Sequence, residues 1–387
     1  MKKKARIIDA YSCGSYHEVV NQGYLMMVSQ LYDEVIYIAE KKSISNLRSL
    51  LDACHVDCSN VFFVEKTFWF PKFKSAGLSY LLKLIIVSFL NYYYYIKSSK
   101  DEDVFYNNNL FFALALISSF SFWKKNHVYL MCHNEMEMID EKKRNTGVMK
   151  IWGCFLKIML SKCVINKKIK LLLLSPKMVD YVKGFVSTKN FSQIDWIDHC
   201  YIRPKNEIVV EQKLNSGSLK IGIPGAITET RGLRQLKKIL KRVNNSNIKL
   251  HATSFVAGIR DSANFECLNK KGGLLPFSEY NAYIQQMDVL VLFYEVGSYK
   301  LTASGAILEA IWNLKPVFAL KNDYFDYLFQ RFGRIGRLFE GEDELADALI
   351  NLKQEELNKF RLSLQRAKES LHPDCVKLQL LNILRDN

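Results

Sequence analysis

No stretch of this chain carries the ~20 uninterrupted apolar residues that a membrane-spanning helix needs. The nearest, Leu78 to Leu90, is broken by Lys83 and runs into Asn91 and four tyrosines, so a spanning helix is not expected. No secretory signal is recognisable at the start, and the nine cysteines, scattered from Cys13 to Cys375, are odd in number. Reduced thiols and a cytoplasmic location are therefore expected. Metal-ligand spacing is lacking as well: Cys54, His55 and Cys58 stand together, but no second pair follows to complete a four-ligand zinc site. No metal is expected. Helix-turn-helix, RNA-binding-sheet and zinc-finger patterns are missing too, which argues against nucleic acid as a partner. Repeats and low-complexity tracts are likewise missing.

What is present is length and apolar content. With 387 residues, 49% of them hydrophobic, two domains with sizeable cores are expected. Net charge is +15, and it is uneven: residues 1–190 hold 27 basic against 16 acidic residues, a net of +11, while 191–387 hold +4. A basic amino-terminal half attracts anions of any kind, including acidic lipid. Within it, Lys66 to Lys74 alternates aromatics with lysines, and Lys66, Trp69, Lys72 and Lys74 suit a membrane interface, with rings among headgroups and ammonium groups on anionic lipid. The same segment could instead tuck its aromatics into the domain.

The chain opens as a β-α-β unit: a strand from Arg6 to Tyr11, a loop containing Gly14, a helix from Glu18 to Leu31 and a strand from Glu34 to Ala39. His17 sits at the loop–helix junction. Apolar strands follow at Val61 to Val64, Val104 to Asn107 and His127 to Cys132, alternating with helical segments as in a parallel sheet. Asp101 to Asp103 reads as a charged turn ahead of Val104. His133 closes the strand ending at Cys132, at the edge where open sheets bind ligands. An imidazole there suits hydrogen bonding to a hydroxyl, or proton transfer near neutral pH. From Thr188 to Gly217 the pattern loosens into an expected interdomain linker, with His199 as a pin within it. Strands are expected again at Leu219 to Pro224, near Leu250 to Ser254 and at Leu274 to Phe277.

The segment Asp288 to Leu320 is a second βαβ crossover: an apolar strand, a polar loop from Tyr294 to Ala303, a helix entered at Ser304-Gly305, and a strand through Val317. Ser304 is expected to cap the helix and Gly305 to allow close approach of a ligand, and a helix start at a strand's carboxyl end favours phosphate. Glu309 falls about 200° from Ile307 and faces away from the core stripe.

This segment resembles the donor-binding region of GT-B glycosyltransferases, with Glu309-Ala310 in the place of the helix's closing Glu-Ala and Lys315-Pro316-Val317 in the place of its Lys-Pro-Val. The glutamate that retaining members carry eight positions earlier is replaced by Leu301. A weaker match starts at Leu219, where the cations that grip the donor diphosphate correspond to Ala226 and Arg231, followed by Gly232. The resemblance implies α/β architecture of the GT-B type, two Rossmann-like doubly wound domains facing across a cleft. It implies an acceptor domain over 1–200 with 371–387 packing back onto it, and a donor domain over 201–370. It further implies a nucleotide-sugar donor held by Arg231, Gly232, Tyr299, Ser304, Gly305 and a Phe277 corner at the base. His133, Glu309 and His17 would lie at the reacting sugars, with no cofactor or metal. A glycan or lipid-linked acceptor in bacterial surface-polysaccharide synthesis, met at the inner face of the plasma membrane by a peripherally bound enzyme, is the implied setting. A sugar-nucleotide epimerase and a non-catalytic subunit of a glycan assembly complex are the alternatives on the same scaffold.

Overall fold

The structure is a computed structural model that describes residues 2–13, 17–68, 70, 78–107, 112–120, 123–133, 135–140, 147–204, 219–228, 232–244, 246–254, 256, 258–269, 275, 277–294 and 299–385. It divides into two units: residues 1–205 with 301–303 and 371–387, and residues 206–300 with 304–370.

The amino-terminal unit is a sheet of seven parallel strands, β1 (Lys4–Asp9), β2 (Glu34–Glu40), β3 (Val61–Lys66), β4 (Glu102–Tyr106), β5 (Val128–Met131), β6 (Ile169–Leu173) and β7 (Ile194–Trp196), ordered β3-β2-β1-β4-β5-β6-β7. Helices α1 (Glu18–Ser29), α2 (Lys41–Ala53), α3 (Leu78–Ile96), α4 (Ala113–Ser119), α5 (Gly147–Lys162) and α6 (Pro176–Lys183) connect them. Residues on both faces of β1 and β5 are buried. That is why β5 reads as an apolar run, whereas β1 keeps Lys4 and Arg6 at half-buried positions. Local chemistry sets the helix starts: Ser175 accepts from the Met178 N–H at 3.2 Å ahead of Pro176, and Glu40 accepts from the Ser43 N–H at 3.0 Å. The helix Pro373–Arg385 also belongs to this unit. Gln30, which follows α1, donates to Asp374 at 2.7 Å and accepts from Lys377 at 2.6 Å, and Gln379 donates to Asp198.

Two expectations change here. The carboxylates before Val104 do not all form a turn: β4 starts at Glu102, whose carboxylate is buried against Arg6 in a two-pronged ion pair at 2.7 and 3.1 Å, and Asp103 accepts from the Tyr32 hydroxyl at 2.7 Å. Buried cations need such partners, and a sequence scan cannot see one 96 residues away. Nor is the stretch from Thr188 all linker, since residues 194–196 form β7 against β6.

The second unit repeats the plan with β8 (Lys220–Ile223), β9 (Lys249–Ala252), β10 (Phe265–Cys267), β11 (Val289–Leu292), β12 (Val317–Leu320) and β13 (Gly336–Phe339), ordered β10-β9-β8-β11-β12-β13, all parallel. Its helices are α7 (Leu233–Val243), α8 (Phe277–Gln286), α9 (Gly305–Trp312), α10 (Asp323–Phe332), α11 (Glu342–Ile350), α12 (Gln354–Leu357) and α13 (Arg361–Ser370). On α7, Leu233, Leu236, Ile239 and Val243 are buried. The lysines and arginines on its other side meet α11 through Lys238–Glu342 at 3.3 Å and Arg242–Asp347 at 3.1 Å. Of the strand expected at Leu274 to Phe277, Leu274 and Pro276 lie outside the described residues and Phe277 opens α8; the edge strand of the described sheet is β10, where only three residues pair. So short a strand leaves too little alternation to register as a pattern.

Candidate functional site

In an open parallel sheet, ligands gather where the strand order reverses, beyond the strands' carboxyl ends. In the amino-terminal unit that point lies between β1 and β4, and a continuous polar chain occupies it. Asp9 ends β1 and accepts from the Ser12 N–H at 3.0 Å and from Asn21 Nδ2 at 2.8 Å. Asn21, on α1, accepts in turn from Asn107 Nδ2, just past β4. Asn107 Oδ1 faces His133 Nε2 at 3.0 Å, just past β5.

The chain of acceptors assigns every proton in it. A carboxylate has only oxygens to offer, so Asn21 must turn its NH2 to Asp9 and its carbonyl to Asn107. Asn107 must then turn its NH2 to Asn21 and its carbonyl to His133, and His133 must donate through Nε2–H. Nδ1 is left with the lone pair.

Two further imidazoles flank His133: His17 at a ring-centroid distance of 5.7 Å and His199 at 5.4 Å. His17 holds a left-handed backbone, φ 58°, as the residue before α1. That conformation is uncommon for a non-glycine residue and tends to persist where the surroundings demand it. His199 donates through Nδ1–H to the Cys200 carbonyl at 2.9 Å. Burial lowers the pKa of all three rings. Asp9 partly offsets this at His17, the neighbouring His199 and His17 deepen it at His133, and His199 is pushed down to about 4. At neutral pH the cluster is therefore uncharged. A cavity of about 10 Å³ lies among Tyr24, Asn107, His133, His199 and Cys200. That is room for about one water, and the buried Tyr24 hydroxyl has no hydrogen-bond partner among the described residues.

Of the sequence-derived histidines, the structure brings His17 and His133 together, and it adds His199, expected only to pin a linker. Asp9, Asn21 and Asn107 carry no signal in the sequence, because nothing marks an asparagine as a hydrogen-bond relay until the fold aligns it.

The three residues Leu301–Ala303 group with this unit. The Leu301 N–H and the Thr302 hydroxyl both donate to Glu137 Oε2, at 2.8 and 2.9 Å, and the Leu301 side chain is fully buried. Where the resemblance would place a glutamate side chain, this chain has an apolar one, and the local carboxylate belongs to Glu137.

In the second unit Gly232, Tyr299 and Ser304 lie beside Phe293 and Tyr294, just past the carboxyl end of β11. Gly232 precedes α7 with φ 81°, and a Cβ there would lie 2.8 Å from the Phe293 carbonyl oxygen, so its close backbone approach is to β11's own exit. Tyr299, also left-handed at φ 57°, stacks on Tyr294 at 4.4 Å. Ser304 occupies the capping position of α9 but makes no capping bond. Its hydroxyl is 3.5 Å from that of Tyr294, which corrects the expected cap and leaves the first amides of α9 without a side-chain acceptor from Ser304. A Cβ on Gly305 would meet nothing within 4 Å. Glu309 is not solvated as its helical angle suggests: it is 3% exposed and accepts from Asn313 Nδ2 at 3.2 Å. Lys315 is interior too, donating to the Gln285 carbonyl at 2.8 Å, with its pKa lowered by burial. Arg231, Trp69, Lys72, Lys74 and the Phe277 side chain lie outside the described residues. Lys66 ends β3; beyond it the Phe68 ring meets Tyr94 of α3, and Phe70 lies beneath Lys83 of α3. Among the described residues no group of three or more His, Cys, Asp or Glu is disposed to hold a metal ion.

Two successive parallel sheets, each ordered so that its first strand pairs with its second and fourth, run from Lys4 to Phe339, and solved structures are similar over the full length of the chain. HepE of Anabaena, in complex with UDP and glucose, is similar over 100% of both chains with TM-score 0.62 at 12% identity. The chain has the GT-B fold. Sucrose-phosphate synthase of Thermosynechococcus elongatus matches this GT-B chain with TM-score 0.64 at 13% identity over 100% of this chain and 99% of its own. The N-terminal domain of trehalose-6-phosphate phosphatase from Candida albicans matches with TM-score 0.63 at 10% identity, over 100% and 97%. No family model matches the sequence, and no curated protein matches it either. The GT-B plan thus persists here at 10% to 13% identity.

Proposed function

We propose that this protein is a glycosyltransferase that moves a sugar from a nucleotide-diphosphate donor to a glycan or lipid-linked acceptor in cell-surface polysaccharide synthesis. The observation that carries the reading is the end-to-end likeness in fold to a protein solved with UDP and glucose. The two units' sites give it chemistry. The second unit would hold the donor: the start of α9 at Ser304-Gly305 offers backbone N–H groups and the positive end of a helix dipole, and Arg231 would add a cation to the departing diphosphate. Gly232 and Tyr299 would shape the phosphate side, Phe277 the base, and Glu309 the ribose or donor sugar. No metal is needed if these groups neutralise the leaving diphosphate.

The amino-terminal unit would bind the acceptor. His133, neutral and with Nε2–H committed to Asn107, keeps Nδ1 as the base that takes the proton of an acceptor hydroxyl as the new glycosidic bond forms. His17 would hold a sugar hydroxyl beside it. The basic charge of this unit suits an acceptor carrying phosphate, met at the inner face of the plasma membrane.

The test is nucleotide release from a panel of uridine- and guanosine-diphosphate sugars, with and without lipid-linked acceptor. Release that requires acceptor supports transfer. Release without acceptor, with isomerised sugar, makes the protein an epimerase. No donor binding by calorimetry removes both and leaves a non-catalytic subunit.

A further inference from the structure

The amino-terminal unit carries an apolar surface for which the site chemistry has no use. On α3, Leu82, Phe89 and Tyr93 are 47%, 58% and 51% exposed, and at 100° per residue they fall within about 40° of one line. Leu78 and Ile96 extend the same stripe to both ends of the helix, a length of about 28 Å. On α5, Ile151 and Ile158 are 49% and 54% exposed and about 20° apart. The two helices touch, and the Tyr92 hydroxyl of α3 donates to the carbonyl of Phe120, itself an exposed aromatic. Single exposed apolar side chains are ordinary, but aligned stripes on adjoining helices are not.

Charge says what covers them. No aspartate or glutamate occurs in α3, α4 or α5. From Gly147 to Val179 the chain carries seven lysines and no acid, and Lys150 and Lys162 are exposed on α5 beside and beyond the Ile151–Ile158 line. Lys97, at the end of α3, lies 5.8 Å from the Tyr93 ring. A second copy docked about a two-fold axis would set this cationic patch against itself, which is repulsive. An anionic bilayer matches both features, taking up the apolar stripes below the headgroups and pairing the lysines with phosphates. α3 is not long and apolar enough to cross, so it would lie in the plane of the interface.

We infer that α3 and α5 form the surface by which this protein lies on a membrane of anionic phospholipid. The inference deepens the membrane-side part of the proposed function. It is read without donor or acceptor, so a failed transfer assay leaves it standing and a failed docking assay leaves transfer standing.

The experiment is co-sedimentation of the full chain with vesicles of phosphatidylcholine alone and of phosphatidylcholine and phosphatidylglycerol in equal parts. Binding to the mixed vesicles and weak binding to the neutral ones is expected, declining as salt rises. Phe89→Ser with Ile158→Ser should weaken it about tenfold. Lys150→Glu with Lys162→Glu should weaken it by at least about 25-fold, at about fivefold for each lysine lost. Both pairs are exposed, and unchanged melting temperatures would show that the variants fold. No binding to mixed vesicles, equal binding to both vesicle types, or binding that neither variant weakens overturns the inference. A wild-type dimer that Phe89→Ser with Ile158→Ser splits in analytical ultracentrifugation overturns it as well, making the surface a contact between copies.

Discussion

His133 Nε2 lies 3.0 Å from Asn107 Oδ1, an oxygen with no proton to give, and this one contact decides which nitrogen of the ring can act as a base. The assignment runs back through Asn21 to the Asp9 carboxylate, so a charge at the end of β1 fixes the tautomer of an imidazole at the end of β5. Asparagine suits the middle of such a relay because it is donor and acceptor at once and carries no charge of its own to raise the ring's pKa.

Removing that contact should harm turnover more than binding. Asn107→Ala is expected to lower kcat of transfer by about 10- to 100-fold, as outer partners of reactive imidazoles do, with the acceptor KM little changed. His133→Ala should cost about 100- to 10,000-fold, the usual worth of a general base. Steady-state kinetics on the donor found by the release panel measures both. Equal kcat in Asn107→Ala and wild type would remove the relay from the mechanism.

Acid stability should report the buried histidines. His199 is pushed down to about 4, so between about pH 6.5 and 4 the unfolded chain binds more protons than the folded one. Its contribution is complete above about pH 6.5, declines as pH falls through that window, and is spent below about 4. The drop is on the order of 3 kcal/mol. Urea unfolding from pH 7 to 4 measures it, and His199→Gln should flatten the decline.

The Arg6–Glu102 pair offers a test away from the site. Glu102→Ala leaves a guanidinium buried without its carboxylate and should cost about 3–5 kcal/mol, whereas Arg6→Met with Glu102→Leu should recover most of that. Urea midpoints of the two variants decide it.

Two glycines at the expected donor site should behave oppositely. Gly232→Ala meets both a positive φ and the Phe293 carbonyl, and should destabilise by about 1–3 kcal/mol. Gly305→Ala has open space around its new methyl, so stability should stay within about 1 kcal/mol of wild type. If a phosphate rests on the start of α9, donor affinity should nevertheless fall about tenfold or more by calorimetry. A Gly305→Ala protein that binds donor normally would take the phosphate elsewhere.

Sequence alone determined the architecture. Parallel strands covered on both faces are apolar throughout, so Val289–Leu292 and Val317–Leu320 announce themselves, as does the Ser304-Gly305 entry to α9 between them. It also placed His17 and His133 at a strand's carboxyl edge, because the βαβ unit fixes which end of a strand faces a ligand. What it could not reach were relations across the sheet. Asn21 and Asn107 are 86 residues apart and His133 lies 26 beyond, and only the side-by-side pairing of β1, β4 and β5 makes them one chain of hydrogen bonds. Glu309 shows the same limit from the other direction: its helical angle is correct, yet the helix's far side is also covered, and periodicity reports which way a residue points but not what stands there. Short polar side chains acquire their roles from partners brought near by folding, and that information is held by the tertiary structure alone.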